Sequence, residues 1–316
     1  MNSVLLLPVI ISFFLSLILM KLVIPLLVKL KFGQQIRKEG NPEHYKKAGT
    51  PSMGALGFLP ALILVAAGFA FKYPQLIPVL ILTAGFGIIG FIDDYLKVVK
   101  KQSEGFKIWQ KFVCQLVLTG FFTWYCWKHV GTEVIIPFTG GKTWDMGWLY
   151  IPFVFFAVLG TDNGTNLTDG LDGLCTQVTI VVALFLMLIA GNENGGLAVI
   201  SGACAGALMG FLFYNAHPAK TFMGDTGSLA LGGFVAGTAL MMKMGWFIIL
   251  FGIIYVIEVG SDIIQIGYFK LTHGKRVFKM APIHHHYELS GFKETQIVAA
   301  FTCITVIGCI VAYLAM

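Results

Sequence analysis

The chain has 316 residues, of which 57% are hydrophobic and 12% are charged, and its formal net charge is +6. Soluble domains carry about 25% charged residues, so this composition excludes an ordinary soluble protein and indicates a polytopic membrane protein. The lysines and arginines lie between apolar stretches. This placement fits membrane topology and anionic headgroups, and we expect no nucleic-acid partner.

Ten apolar segments are predicted to span the membrane, because a spanning helix needs roughly 20 mostly apolar residues. In chain order they are residues 3–30, 54–71, 76–96, 110–128, 148–162, 173–190, 196–214, 226–243, 246–270 and 295–315. The first has no basic region before it and no small-residue cleavage site, so it is predicted to be retained. We expect an all-α integral membrane protein with one polytopic domain over residues 1–316.

The loops of this predicted topology differ in charge. Those after odd-numbered spans hold most of the basic residues, among them Lys31, Arg37, Lys38, Lys46, Lys100 and Lys101. The alternate loops hold only Lys72, Lys128, Lys142 and Lys243. By the positive-inside rule both termini are extracytoplasmic. The prediction depends on ten spans, because one missed span would invert half of the chain.

Five aspartates lie at the ends of these apolar segments, all on the predicted cytoplasmic side: Asp93, Asp94, Asp169, Asp172 and Asp225. A charged residue at the centre of a bilayer costs about 3 kcal/mol or more unless it is paired, so such residues indicate function. The pattern predicts an acidic site for a metal ion and a phosphorylated substrate.

Asp93 and Asp94 end the third span, in GFIDDYLK. Adjacent helical residues point about 100° apart, so we expect one carboxylate to serve a metal or a substrate proton and the other a neighbouring cation. Lys97 lies one turn further along. The alternative is a pair of solvated carboxylates, but the carboxyl end of a helix disfavours acids.

The string NLTDGLDGL places Asn166, Asp169 and Asp172 three residues apart. If a helix begins at residues 169–173, the two aspartates share a face, and Thr168 or Asn166 caps it. Two glycines allow close approach of a ligand, which favours a nucleotide or sugar site. The alternative is an ordinary capping box before the sixth span.

Asp225 lies between two glycines near the start of the eighth span, in FMGDTGS. This context suits a carboxylate ligand for Mg²⁺, which combines one or two protein carboxylates with water and substrate phosphate. Phe222 either stacks on a base or is an aromatic residue of the membrane interface. Asn215 precedes this loop.

Three consecutive histidines, His284, His285 and His286, lie in the last large cytoplasmic loop beside basic residues. They do not match the i, i+4 spacing of helical zinc ligands. Contacts to a diphosphate or nucleotide are favoured, and a solvated polar loop is the alternative. Glu258 and Asp262, in VIEVGSDIIQ, either support the site or hold helices together.

Taken together, the strings KKAGTPSMG, GFIDDYLK, NLTDGLDGL, NAHPAKTFMGDTGSLALGG and APIHHHYELSGF resemble the phospho-N-acetylmuramoyl-pentapeptide transferase (translocase I) family, within the polyprenyl-phosphate N-acetylhexosamine-1-phosphate transferases. The resemblance covers nearly the whole chain, in family order and spacing. It implies ten helices with a cleft open to the cytoplasm. It also implies Mg²⁺-dependent transfer of phospho-MurNAc-pentapeptide from its UDP derivative to undecaprenyl phosphate, in the bacterial cytoplasmic membrane.

Residue by residue, the resemblance implies a catalytic group of Asp93, Asp94, Asp225, His284, His285 and His286, with Asp225 as the metal ligand. The implied substrate-binding positions are Lys47, Ser52, Lys97, Lys111, Asn163, Asn166, Asp169, Asp172, Asn215, Phe222 and Gln265. One departure is GTDNGTN at 160–166, where the family more often has a Ser-Asn-Ala-Val-Asn string; Asn163 and Asn166 are retained.

Several alternatives stay open at this stage. Direct displacement competes with a phospho-aspartate intermediate. A sister transferase that uses UDP-N-acetylglucosamine and, in another class, a cation-coupled transporter compete with the muramyl activity, although transporter sites usually lie at the midplane of repeated halves. Monomer and homodimer are both compatible with the sequence.

Overall fold

The computed structural model describes residues 3–30, 47, 49–98, 105–191 and 194–316. Its helices are α1 (Ser3–Lys29), α2 (Ala55–Ala70), α3 (Ile77–Val98), α4 (Ile108–His129), α5 (Tyr150–Thr168), α6 (Leu174–Ala190), α7 (Gly195–Asn215), α8 (Asp225–Met241), α9 (Ile248–Phe251), α10 (Ile253–Leu271), α11 (Ile283–Glu288) and α12 (Glu294–Leu314). Lys31, Arg37, Lys38, Lys46, Lys100 and Lys101, which support the predicted orientation, lie outside the described residues.

Four helical segments are long and apolar enough to cross a membrane: Leu6–Lys29, Pro74–Lys97, Gly195–Asn215 and Glu294–Leu314. A fifth is obtained if Gly245–Phe251 and Ile253–Leu271, which meet at 86°, form one bent span. These counts concern the described ranges only. The expectation of a helical membrane protein is therefore confirmed in this coarser form.

Two short strands depart from an all-helical chain. β1 (Glu133–Ile135) pairs antiparallel with β2 (Thr143–Asp145), with Val134 opposite Trp144. The backbone of the hairpin also bonds to Lys243 O, after α8, and to Ala315 O, after α12. The hairpin therefore marks the end of the bundle where α4, α8 and α12 finish.

Small residues set the packing at the centre of the bundle. Gly206 and Gly210 on α7 face the backbone of Val9 and Phe13 on α1, and a Cβ at Gly210 would stand 2.7 Å from Phe13 O. In lipid, helices gain stability from such close backbone approach rather than from hydrophobic exclusion. The small residues of α7 thus allow this helix to pack closely against α1.

Candidate active site

Four charged side chains meet where α3 and α5 end and α4 and α8 begin. Lys97 Nζ lies 2.8 Å from Asp93 Oδ2 and 2.9 Å from Asp225 Oδ2. Lys111 Nζ lies 3.1 Å from the same Asp225 oxygen and 3.5 Å from Asp93 Oδ2. We call Asp93, Asp225, Lys97 and Lys111 the lysine–aspartate centre. The two carboxyl groups also come within hydrogen-bonding reach of each other.

The remaining oxygens of this centre are held by neutral donors. Asn166 Nδ2 donates to Asp225 Oδ1 at 2.9 Å and to Ser228 Oγ at 2.9 Å, and Phe106 N donates to Asp93 Oδ1 at 2.7 Å. Asp93 is buried, whereas the Lys97 side chain is 42% exposed. The centre is therefore open to a ligand from the lysine side.

Asp94 faces away from this centre. Its Oδ1 accepts a hydrogen bond from Asp225 N at 3.1 Å, and its Oδ2 accepts from Thr226 N at 2.8 Å and Thr226 Oγ1 at 2.6 Å. The first N–H groups of a helix have no partner inside it, so a carboxylate from another helix satisfies them. As expected for neighbours on one helix, Asp93 and Asp94 have different contacts.

The expectation of a helix beginning at residues 169–173 is wrong. α5 continues through Asn166 to Thr168, and α6 begins only at Leu174, so Asp169 and Asp172 lie in the turn between two helices. Buried contacts of the polar end of α5 account for the difference, because Asn166 bonds across to α8. The two aspartates therefore do not share a helix face.

Asp169 stays close to the centre from this turn. Its carboxyl accepts a hydrogen bond from the backbone N–H of Gly224. Burial raises the pKa of this carboxyl well above its usual range, and the nearby carboxylates of Asp225 and Asp94 raise the pKa further.

Asp172 belongs to a second group, which we call the Lys47 cluster: Lys47, Asp172, His217 and Glu294. Lys47 Nζ lies 2.7 Å from Asp172 Oδ1 and 2.7 Å from Glu294 Oε1. His217 Nδ1 lies 3.0 Å from Asp172 Oδ2 and 3.2 Å from Glu294 Oε2. Burial opposes the charge of Lys47, but the bonds to both carboxylates outweigh burial and raise the pKa of its ammonium.

The Lys47 cluster also contains a ligand set for a metal ion. One ligand atom each from Asp172, His217 and Glu294 lie within 4.8 Å of one another. This is a different place from Asp225, where the sequence predicted the metal ligand. A cation bound there would compete with the Lys47 ammonium, which already pairs with both carboxylates.

The three histidines lie on α11, a single short helix, and therefore point in different directions. His284 Nδ1 lies 2.9 Å from Glu258 Oε2, with both side chains buried, and His285 Nδ1 lies 2.7 Å from Glu288 Oε2. His286 Nδ1 accepts a hydrogen bond from Lys279 N at 3.1 Å. Glu258, which the sequence left open, thus binds a histidine of this loop.

His284 also adjoins the turn between α5 and α6. A Cβ built on Gly170 would overlap His284 Nε2, so the imidazole lies against the backbone of this glycine. His284 Nε2 and Glu258 Oε1 are buried without a hydrogen-bond partner among the described residues. The histidine loop is therefore packed beside Asp169 and Asp172.

The other predicted binding residues have contacts within the protein. Asn215 Nδ2 donates to Thr221 O at 3.0 Å, and Gln265 Oε1 accepts from Val277 N and Phe278 N, each at 3.0 Å. Both side chains therefore shape loops. Asn163 is exposed and donates to Leu159 O of its own helix at 2.8 Å, outside the two charged groups.

Ser52 and Phe222 lie where the first loop meets the loop before α8. Phe222 N donates to Pro51 O at 2.9 Å, and Ser52 Oγ adjoins Gly224. The Phe222 side chain is half-buried.

Glu294, His217 and the buried pair of Gln115 and Asp162 were not identified as part of the site from the sequence. Gln115 Nε2 donates to Asp162 Oδ2 at 2.5 Å, one helical turn from Lys111 on α4 and from Asn166 on α5. The departure at 160–166 draws attention to Asp162, but its partner is not readable from spacing. Glu294 resembles an ordinary acid at a helix start.

The amino-acid sequence of this chain is similar to those of known transferases. A family model described as Glycosyl transferase family 4 matches residues 76–243, a range that includes the lysine–aspartate centre and Asp172. The phospho-N-acetylmuramoyl-pentapeptide-transferase of Clostridium perfringens is 51% identical over 309 residues, which cover 96% of each chain. The enzyme of the same name from Clostridium novyi is 47% identical, covering 99% of this chain and 97% of its own.

A third relative with that name, from Acetivibrio thermocellus, is 47% identical over 97% of this chain and 94% of its own. The chain therefore belongs to the phospho-N-acetylmuramoyl-pentapeptide-transferase family.

Proposed function

We propose that the protein transfers phospho-MurNAc-pentapeptide from UDP-MurNAc-pentapeptide to undecaprenyl phosphate, giving lipid I and UMP for peptidoglycan synthesis. The observation that supports this most directly is the lysine–aspartate centre. Phosphoryl transfer depends on positioning and charge stabilisation, and this centre combines two carboxylates with two ammonium groups at one point. Family membership supports the same reaction.

The chemistry breaks the bond between the two phosphates of UDP and forms a new bond from an oxygen of the lipid phosphate. Asp93 orients or deprotonates the lipid phosphate, and Lys97 and Lys111 stabilise the charge that develops on the leaving UMP. Asp94 acts differently, because its contacts fix the first turn of α8 and thereby the position of Asp225. His285 adds a further donor to the diphosphate.

Mg²⁺ is proposed as the cofactor, with Asp225 as its ligand. The donor set fits a hard cation, because Asp93 and Asp225 offer carboxylate oxygens side by side. Lys97 and Lys111 hold these two carboxylates together, and the bound cation would share the Asp225 carboxylate with them. When bound, Mg²⁺ neutralises charge on the substrate diphosphate.

The nucleotide and sugar are assigned to the residues around this centre. Asn166, Asp169, Asp172, Asn215 and Phe222 line the proposed nucleotide side, with Lys47, Ser52, Asn163 and Gln265 as further binding positions and the three histidines as the catalytic loop. We further propose ten spans in one domain, extracytoplasmic termini, a site on the cytoplasmic side of the bacterial cytoplasmic membrane, and a homodimer as the assembly to test.

The test is an assay of the purified protein in detergent with Mg²⁺, undecaprenyl phosphate and each UDP-sugar. We expect UMP and a lipid-linked product from UDP-MurNAc-pentapeptide. Product from UDP-N-acetylglucosamine alone would instead assign the sister activity. The control is Asp93→Asn, which retains the shape of the side chain and is expected to release no UMP.

A further inference from the structure

Glu294 joins three separate parts of the chain at the start of α12. Its Oε1 accepts a hydrogen bond from Lys47 Nζ at 2.7 Å and from Asp172 N at 2.6 Å. Its Oε2 lies 3.2 Å from His217 Nδ1. Among the described residues, no other side chain hydrogen-bonds to both Lys47 and the backbone of the turn between α5 and α6.

These contacts define what Lys47 can still offer to a ligand. An ammonium group has three donors. Two of them point to Asp172 Oδ1 and Glu294 Oε1, each at 2.7 Å, so one N–H has no hydrogen-bond partner among the described residues. The Lys47 side chain is 18% exposed, so it lies at the edge of the buried cluster, in partial contact with solvent. Because a lysine side chain is otherwise flexible, the two carboxylates determine where the remaining donor points.

Glu294 also holds the backbone of Asp172. The side chain of Asp172 is occupied by Lys47, His217 and, at 3.0 Å, Ala219 N, while its backbone N–H is held by Glu294. The turn that carries Asp169 and Asp172 therefore rests on the first residue of α12. This helix supplies no residue to the lysine–aspartate centre through any described contact.

We propose that Glu294 is a positioning residue for the UDP-sugar substrate: it holds Lys47 and the turn at Asp172 in the relation that substrate binding requires. The inference rests on the proposed function, in which Lys47 and Asp172 lie on the substrate side. Glu294 acts through these two residues and does not touch the reacting phosphates.

Glu294→Gln tests this role with little change in shape. Glutamine keeps an oxygen for Asp172 N but removes one of the two negative partners of Lys47. A charged hydrogen bond is worth about a tenfold change in an equilibrium. We expect KM for UDP-MurNAc-pentapeptide to rise about 10-fold, with kcat and the KM for undecaprenyl phosphate changed less than about 2-fold. The matched control is Glu133→Gln on the β-hairpin, away from the site. It removes an ion pair in which Glu133 Oε2 lies 2.8 Å from Lys243 Nζ. It is expected to leave all three kinetic constants unchanged.

A double-mutant cycle separates positioning from a general structural role. In a Lys47→Met background, Glu294→Gln should raise KM little further, because glutamine keeps the bond to Asp172 N and the ammonium that it no longer pairs is already absent. If the rises in KM caused by Lys47→Met and Glu294→Gln multiply in full in the double variant, the proposal is overturned. An unchanged KM, or a loss confined to kcat, in Glu294→Gln alone would also overturn it.

A second measurement needs no substrate. Modification of the Lys47 amine by an amine-reactive reagent, followed by mass spectrometry, should be slow in the wild-type protein and several-fold faster in Glu294→Gln. Equal rates would contradict the positioning. If the wild-type protein shows no turnover with UDP-MurNAc-pentapeptide, the proposed function fails, whereas the labelling comparison still tests whether Glu294 holds Lys47.

Discussion

Asp94 and Thr226 form the tightest polar link between α3 and α8, since Asp94 Oδ2 accepts hydrogen bonds from both Thr226 N at 2.8 Å and Thr226 Oγ1 at 2.6 Å. A third bond, from Asp225 N to Asp94 Oδ1, places this cap directly behind the Asp225 side chain. The two adjacent aspartates of α3 therefore serve one site in different ways. Asp93 faces the lysines, and Asp94 fixes the helix that carries Asp225.

Asp94→Ala is expected to lower both stability and activity. Loss of a helix cap costs about 1–2 kcal/mol, and loss of a charged acceptor that leaves N–H groups unpaired adds to this. Thermal unfolding in detergent should report a lower midpoint for Asp94→Ala. Asp94→Asn keeps one acceptor oxygen, so its midpoint should lie between those of Asp94→Ala and the wild-type protein. Asp145→Ala, on the exposed hairpin, serves as the control. An unchanged midpoint with lost activity would instead indicate direct chemistry by Asp94.

Part of this site could be predicted from the sequence. Apolar stretches and their acidic ends indicate where helices finish, which predicts Asp93 and Asp225 on one face of the membrane and Lys97 one turn from Asp93. Lys111 was expected there only from the family resemblance. The Lys47 cluster does not follow, because Glu294 lies 122 residues from Asp172 and pairs with it only through the packing of α12. The cap by Asp94 was missed for the same reason: a carboxylate that binds another helix leaves no periodic signal in its own.

The length of α5 illustrates a second limit. Glycine, asparagine and threonine in GTDNGTNLT favour loops and caps, so local propensity ends the fifth span near residue 162. The helix nevertheless continues to Thr168, because Thr165 and Thr168 bond back to carbonyls of the preceding turn, and Asn166 and Asp162 bond to α8 and α4. Tertiary contacts here override propensity.

Gly90→Ala is expected to disrupt the centre from the side of α3. A methyl group at Gly90 would overlap the backbone of Asp225, which cannot move without separating α8 from the Asp94 cap. We expect at least about a 100-fold loss of activity, since small displacements of catalytic groups have effects of this size. Gly68→Ala on α2, where a Cβ meets nothing within 4 Å, is the matched control and should be as active as wild type. Comparable activity of the two variants would mean that α3 and α8 separate without harm.

Gly170→Ala tests the contact between the histidine loop and the substrate side. The added methyl would overlap the His284 ring, which is buried and paired with Glu258. The expected result is a loss of activity of about 10-fold or more, together with a lower unfolding midpoint, because an overpacked contact costs about 1–3 kcal/mol. Gly160→Ala, on α5 with nothing within 4 Å of its Cβ, is the control. Full activity of Gly170→Ala would argue that the contact with His284 is not needed for turnover.

Asp225→Asn addresses the metal directly. The amide keeps an oxygen for Asn166 Nδ2 but removes the charge that pairs with Lys97 and Lys111, so any ligand role for this carboxylate weakens while its shape is retained. We expect turnover to fall by more than about 100-fold and the residual activity to need a higher Mg²⁺ concentration. The measurement is UMP release against Mg²⁺ concentration, with chelator-treated wild-type protein as the reference for complete metal loss. Retained turnover with an unchanged Mg²⁺ requirement would exclude Asp225 as the ligand.

The order of the chemical steps follows from whether Asp93 acts as a base or as a nucleophile. In the direct mechanism the lipid phosphate attacks the substrate, so no bond forms to the protein. Asp93 Oδ1 is bound to Phe106 N and Oδ2 to Lys97, so the carboxylate is held in place and suited to orient the lipid phosphate. Incubation with UDP-MurNAc-pentapeptide alone should therefore release no stoichiometric burst of UMP and leave the protein mass unchanged. A phospho-MurNAc-pentapeptide adduct on Asp93, detected by intact mass and absent in Asp93→Asn, would establish the two-step route instead.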